Sequence, residues 1–388
     1  MNMYNFDKII DRRGTASVKW DLRKTIFKRE DVLPMWVADM DFETPDFIVN
    51  AIKERASHPV YGYSLMEDSY YNAFISFTKR RHNWEIKKEW MVFSPGIVTA
   101  VNAAIKAFTN EGDGVIVQPP VYFPFFNAVN NNKRKLLENQ LIYIDNTYKF
   151  DFEDLREKAK EANMILLSSP HNPVCRCWND DELKELGKIC LENDVIIISD
   201  EIHADLILPD YKHRPLATLS DELAQVCITC MAPSKTFNVA GLFTSIIIIQ
   251  NEKLREKYNN EMESISLVHA NLFGMIAAEA GYSEGDYWLD ELMDYVNTNF
   301  KLVDDFLKNE IPSIKMVKAE ATYLAWLDFK ETGLSDEKLH HKLINEAKLG
   351  LSPGNIFGKG GEGFMRMNLG TPKQYVEEAL QQLKSVFV

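Results

Sequence analysis

Lys235 stands in Ala232-Pro233-Ser234-Lys235-Thr236-Phe237-Asn238, directly after the apolar run Val226 to Met231. An amine delivered off the end of a buried strand is placed for covalent chemistry with an aldehyde, provided a carboxylate lies beside it. Two other loops supply companions. One apolar run ends in Asp200-Glu201-Ile202-His203, and another leads into Pro170-His171-Asn172-Pro173. A single lysine in a turn is more often a surface residue, and only the two companion loops lower those odds.

If the three strands run parallel, their carboxyl ends share one sheet edge, and Asn172, Asp200 and Lys235 converge there. Such a set suits a pyridine aldehyde phosphate. Asp200 would keep the ring nitrogen protonated and Asn172 would donate to the ring oxygen. The phosphate needs amide donors, and Ser94-Pro95-Gly96-Ile97-Val98-Thr99 places a strand end against a helix start, where free N–H groups and the helix dipole make an anion site. Ser234 could add a hydroxyl. Each piece alone has a plainer reading, since Asp200 could be a turn residue and Ser-Pro-Gly only a cap. Gly358 to Gly363 looks like a nucleotide loop but precedes a strand, so it reads as a mobile turn.

The elements that must position these groups alternate between short β-branched runs and helical patterns, the mark of an α/β chain with a mostly parallel sheet covered on both faces. The strands expected are Met91 to Ser94, Gly114 to Val117, Met164 to Ser168, Val195 to Asp200, Val226 to Met231 and Thr244 to Ile249. Each ends where chemistry could begin. Helical spacing follows Pro95-Gly96 (Ile97, Val101, Ala104, Ile105, Phe108) and Asp180 (Leu183, Leu186, Cys190). After a loop from Gly281 to Gly285, one stripe of Leu289, Met293, Val296, Phe300, Val303 and Leu307 predicts a long amphipathic helix that Ile311-Pro312 stops. Strands near Ile314 to Val317, Tyr323 to Asp328 and Phe364 to Leu369, with a helix around Asp336 to Lys348, predict a smaller α+β unit. A last helix is expected after Thr371 as cap and Pro372 at its first position.

The chain has 388 residues, 46% hydrophobic and 11% aromatic, enough for one large and one small domain. Its net charge of −13, from 44 basic and 57 acidic residues, argues against a nucleic-acid surface. No stretch is long and apolar enough to span a bilayer, and Met1 to Asp7 lacks an export signal, so a cytoplasmic location is expected. Cys175, Cys177, Cys190, Cys227 and Cys230 fit a reduced compartment. Cys227 and Cys230 have the gap of a metal pair but lie in an apolar strand with no second pair, so no metal is expected.

These residues resemble a known family: pyridoxal phosphate enzymes of the aspartate aminotransferase fold (fold type I), specifically the MalY/PatB group of cystathionine β-lyases and carbon-sulfur lyases. The likeness runs through Ile10 to Thr15, Lys19-Trp20-Asp21, Met35 to Phe42, Tyr61-Gly62-Tyr63, Pro119 to Tyr122, Pro170 to Pro173, Asp200 to Leu206, Ser234 to Asn238, Ala240-Gly241-Leu242 and Glu320 to Leu324. It implies a large domain over 46–285 with a seven-stranded sheet, and a small domain from 1–45 and 286–388.

For the site, the resemblance implies that Lys235 holds the cofactor, pyridoxal 5'-phosphate, covalently and then takes the substrate α-proton. Tyr122 would stack on the ring, Asn172 and His203 would face its oxygen, and Asp200 its nitrogen. Ile97, Val98 and Ser234 would hold the phosphate. Val37, Ala38, Asn172 and Arg366 would bind substrate, with Arg366 as the fork for the α-carboxylate. Tyr61 would reach the neighbouring subunit's cofactor, implying a homodimer with shared sites. Outside that frame, Tyr122 and Tyr61 read as packing aromatics and Arg366 as a surface ion pair.

Two departures stand out: Cys175 replaces the glycine that follows His-Asn-Pro-X, and Phe243 replaces a phosphate-binding arginine of related aminotransferases. The implied reaction is α,β-elimination from a sulfur-bearing L-amino acid such as cystathionine. An aminotransferase would share every residue named, and a regulatory protein that keeps the cofactor and binds another protein is a further alternative.

Overall fold

Seven strands form the sheet that carries the site, in a computed structural model that describes residues 3–388. They are β1 (Met91–Ser94), β2 (Gly114–Val117), β3 (Lys135–Glu138), β4 (Ala162–Ser168), β5 (Ile196–Asp200), β6 (Cys227–Met231) and β7 (Ser245–Ile249). The spatial order is β1-β7-β6-β5-β4-β2-β3. Helices cover both faces, so the inner strands are apolar along their whole length rather than alternating.

Two features depart from the sequence reading. β7 runs antiparallel to both β1 and β6, so its start, not its end, lies on the shared edge, where Ser245 Oγ donates to Ser94 O at 2.8 Å. β3 was not foreseen. It is a four-residue edge strand, charged at both ends and only half covered, so it lacks the apolar run that marks its neighbours.

Helix α1 (Ile97–Phe108) follows β1, α2 (Asp180–Glu192) starts from an Asn179–Glu182 capping box, and α3 (Pro233–Thr236) is the single turn after β6. Further along are helix α4 (Leu272–Glu284), α5 (Asp286–Glu310), which ends at Ile311, and α6 (Asp336–Asn345). An antiparallel four-stranded sheet, β8 (Lys315–Met316), β9 (Leu324–Asp328), β10 (Ser352–Pro353) and β11 (Phe364–Asn368), has the order β8-β9-β11-β10. The last helix, α7, covers Lys373–Phe387 with Pro372 as its cap, one place later than expected, because Pro372 has the extended ψ of 141°.

The segment Gly281 to Gly285 is not a loop. Gly281 lies in α4, and a Cβ there would sit 2.6 Å from the Phe237 ring; one at Gly285 would sit 2.3 Å from it. These glycines serve close packing against Phe237, which is fully buried two residues past Lys235. Gly281→Ala should gain about 0.5–1 kcal/mol of helix propensity but lose about 1–3 kcal/mol to overpacking. The net loss should appear as a lower urea midpoint, and an unchanged midpoint would mean that Phe237 has room to move.

Gly358 to Gly363 does precede a strand, β11, and Gly358 and Gly360 take positive φ of 91° and 81° against Pro119, Phe126 and Gln140. Cys227 and Cys230 are fully buried in β6. No helix among the described residues is long and apolar enough to cross a membrane.

Candidate active site

Five strand ends and one strand from the smaller sheet meet at the carboxyl edge of the parallel strands. β5 ends in Asp200, β6 leads through Ala232 into α3 and Lys235, and β4 leads through Ser169 to Asn172. β1 ends at Ser94 before the first turn of α1, β2 leads to Tyr122, and β11 crosses from the smaller sheet with Arg366.

Lys235 is partly buried at the edge of a cavity, and its Nζ donates to Ala38 O at 2.5 Å. Tyr323 donates its hydroxyl to the same carbonyl at 2.8 Å. Burial lowers the Lys235 pKa to about 8, opposed most by the charge of Asp39. Asp200 accepts one hydrogen bond, from Ile202 N at 3.1 Å, and burial pushes its pKa up to about 7. A carboxylate held this way lacks a cationic partner close enough to restore its acidity. His203 is driven down to about 3 by burial, then by Lys235 and Arg366, so its imidazole is neutral, and its Nδ1 has no partner among the described residues.

Arg366 is buried, donating through Nη1 to Asn172 Oδ1 at 3.0 Å and through Nη2 to Trp36 O at 2.8 Å. Its Nε makes no hydrogen bond among the described residues. The surface ion pair that the residue alone would suggest is therefore not what forms. Tyr122 lies in the field of Asp200 and Arg366, which puts it in the same cluster. Ile97 and Val98 open α1, where first-turn N–H groups have no helical acceptor and the Gly96 cap supplies no side chain. Ser234 sits one residue before Lys235 in α3.

Val37 and Ala38 lie across the cluster with their carbonyls turned to Asn368 Nδ2, at 2.6 Å, and to Lys235. Tyr61 is not brought into the cluster by this chain. It is 58% exposed, and its hydroxyl donates to Ala56 O at 2.5 Å.

Both departures have structural answers. Cys175 takes the left-handed φ of 60° that a glycine would hold freely, and it is fixed there by burial, by an Sγ hydrogen bond to Leu324 O, and by Glu320 N and Ala321 N donating to its carbonyl. Phe243 also has positive φ, 44°, and lines the cavity above Lys235 as an exposed ring, with no cation at that position.

Several supports escaped the sequence reading. Asn368 holds the carbonyls of both Val37 and Asp39 at 2.6 Å. Its signal was present, since it lies two residues from Arg366 in a strand and so shares its face. His82 and Thr236 both bond Asp205 at 2.7 Å, tying α3 to the segment that begins at Asp200. That contact spans 123 residues and left no local trace. The Trp36 ring packs edge-on against Phe27, and Thr322 caps a turn by accepting from Leu324 N at 3.0 Å.

A family model for class I and II aminotransferases matches residues 30–383. The chain is 45% identical to cystathionine beta-lyase PatB of Bacillus subtilis, covering 98% of this chain and 99% of that protein. The chain belongs to the class I and II aminotransferase family. Within it, the chain falls in the MalY/PatB group and has the fold type I architecture. Cystalysin from Treponema denticola, solved with pyridoxal 5'-phosphate, superposes with a TM-score of 0.96 at 37% identity, over 99% of this chain and 98% of that one. The cofactor-bound C-S lyase of Staphylococcus hominis gives 0.92 at 36% identity, over 99% and 98%.

Pyridoxal 5'-phosphate fits the residues present. An under-bonded buried carboxylate, an imidazole with an unpartnered nitrogen, a helix start with free amides and a lysine with a lowered pKa match the ring nitrogen, ring oxygen, phosphate and aldehyde of that one group.

Proposed function

We propose that this protein is a pyridoxal-phosphate-dependent carbon-sulfur β-lyase, which converts L-cystathionine or related S-substituted L-cysteines to pyruvate, ammonia and a thiol. The observation that carries the reading is that Lys235 lies in the electrostatic field of the buried Asp200 and Arg366, in a chain 45% identical to PatB. The names printed for PatB and for the Staphylococcus hominis enzyme supply the reaction class.

Bound pyridoxal phosphate supplies an electron-withdrawing ring that stabilises negative charge at the substrate α-carbon. In this reading Asp200 accepts from the ring nitrogen, Asn172 and His203 face the ring oxygen, and Tyr122 covers the ring. The Ile97 and Val98 amides and Ser234 hold the phosphate. Arg366 grips the α-carboxylate through parallel hydrogen bonds beside Val37 and Ala38. Lys235 Nζ removes the α-proton, and with a pKa of about 8 it is partly free base near neutral pH. It can then return a proton to the departing thiolate.

Tyr61 acts across a two-fold homodimer in this reading, supported by its exposure beside the exposed apolar residues Val60, Tyr63 and Leu65. The large unit over 46–285 and the small one from 1–45 and 286–388 then close on the cluster from the two sheets.

The test is to supply cystathionine without any keto acid. Catalytic pyruvate release, at many turnovers per cofactor, is expected. Turnover that stops after one equivalent and resumes only on adding a keto acid would assign transamination instead.

A further inference from the structure

The cavity above Lys235 has a volume of about 920 Å³, and charged groups line its N-terminal wall. Arg12 and Asp39 both face it, each side chain 21% exposed. They are joined by two parallel hydrogen bonds, Nη2 to Oδ2 at 2.7 Å and Nη1 to Oδ1 at 3.1 Å. Arg12 Nη1 also donates to Asp41 Oδ1 at 2.8 Å and to Met40 O at 3.1 Å.

Asp41 is otherwise neutralised from behind, by the fully buried Lys19 at 2.5 Å and by Trp20 Nε1 at 2.9 Å. Arg12 therefore shares Nη1 between Asp39 and the interior, while the Nε side of its guanidinium and the Asp39 carboxylate keep free edges beside the cavity. Among the described residues, Arg12 Nε donates to no protein acceptor, and each Asp39 oxygen accepts only from Arg12. The Asp39 charge is also felt by Lys235 and by Tyr323, which places it next to the reacting amine.

A paired cation and anion offer little to a ligand of single charge, which would meet one attraction and one repulsion at the Arg12–Asp39 pair. A zwitterion docks on it head to tail, ammonium on Asp39 and carboxylate on Arg12, with both of its charges matched.

Resting on the lyase reading above, we infer that Arg12 and Asp39 form a subsite for the distal ammonium and carboxylate of the departing thiol, so that the preferred substrates carry an α-amino acid at both ends. Arg366 takes the carboxylate at the reacting end and the Arg12–Asp39 pair takes the far end. The exposed side chains of Val18 and Phe243 flank the cavity between solvent and Lys235, where the linking carbons would pass.

The experiment compares L-cystathionine with S-butyl-L-cysteine, which has the same chain length and no distal charges, in wild type and in Asp39→Asn. The variant is isosteric and keeps one acceptor for Arg12. The kcat/KM for cystathionine should fall by about 10- to 100-fold, mainly through KM, as expected for losing a charge-assisted hydrogen bond. Any effect of Asp39 on proton transfer at Lys235 lowers both substrates alike and cancels in their ratio. Asp39→Glu, which keeps the charge, should restore most of the preference.

A cystathionine to S-butyl-cysteine ratio that stays within about 3-fold of wild type, less than one such hydrogen bond is worth, overturns the inference. If Asp39→Asn does not fold, the wild type still decides, because equal kcat/KM for the two substrates overturns it and a marked preference for cystathionine supports it. Cleavage of neither substrate by wild type sinks the lyase reading and this inference together, whereas cleavage of both without preference sinks this inference alone.

Discussion

Replacing Lys235 with alanine is expected to lower kcat by at least about 10³-fold, because one amine both carries the cofactor and moves the α-proton, and general-base catalysis alone contributes about 10²–10⁴. The absorbance of the covalent lysine–cofactor adduct should vanish with it. The same variant separates this loss from damage to the fold. Lys235 is partly buried, with a pKa lowered from 10.5 to about 8, so keeping it charged at neutral pH costs the folded state on the order of 1–3 kcal/mol. The unfolded chain binds that proton more tightly, so the penalty is present below pH 8 and fades as pH rises toward the unfolded value. Cofactor-free Lys235→Ala should therefore melt no lower than cofactor-free wild type at pH 7. A variant that keeps its visible adduct, or that retains a tenth of wild-type kcat, would remove Lys235 from the chemistry.

The second large effect is expected at Asp200. Breaking a buried charge pair costs about 3–5 kcal/mol, so Asp200→Asn should weaken cofactor binding by about 10²–10³-fold and depress kcat at saturating cofactor, since an amide cannot hold a proton on a ring nitrogen. Titration by absorbance measures the first loss and pyruvate release the second. A cofactor affinity within twofold of wild type would rule out the assigned contact.

A pH experiment on cofactor-free protein probes the same carboxyl group. Its folded pKa, about 7, lies above the ordinary 3.8, so the folded state binds the proton more tightly than the unfolded chain. The stability it contributes is complete below pH 3.8 and is lost as pH rises through 7, on the order of a few kcal/mol. Asp200→Asn should abolish this decline, and a bound pyridinium should offset it by stabilising the charged carboxylate.

The sheet was legible because its inner strands are unbroken apolar runs, and the residues with chemistry follow immediately at their ends. Asp200, Asn172 and Lys235 could be named that way because a parallel sheet brings successive strand ends to one edge. β3 was illegible for the opposite reason, since an exposed edge strand carries no apolar run. The direction of β7 was illegible too, because Ser245–Ile249 is equally apolar read either way. Gly281 misled because a glycine that admits a neighbouring ring leaves the same letter as a glycine that turns the chain, and only the position of Phe237 tells them apart.

The amino-acid sequence by itself determined the fold class, the family likeness and the choice of Lys235 as the candidate amine, since these follow from short-range patterns of burial and from motifs a few residues long. Tertiary structure alone decided that Arg366 is enclosed against Asn172 and Trp36 rather than paired at the surface, and that Asn368 fixes the Val37 to Asp39 segment beside Lys235. It also decided that Arg12 and Asp39 share one wall of the cavity. Contacts such as Arg366 to Trp36, 330 positions apart, exist only once two sheets have packed, and burial then resets the charge of every group between them.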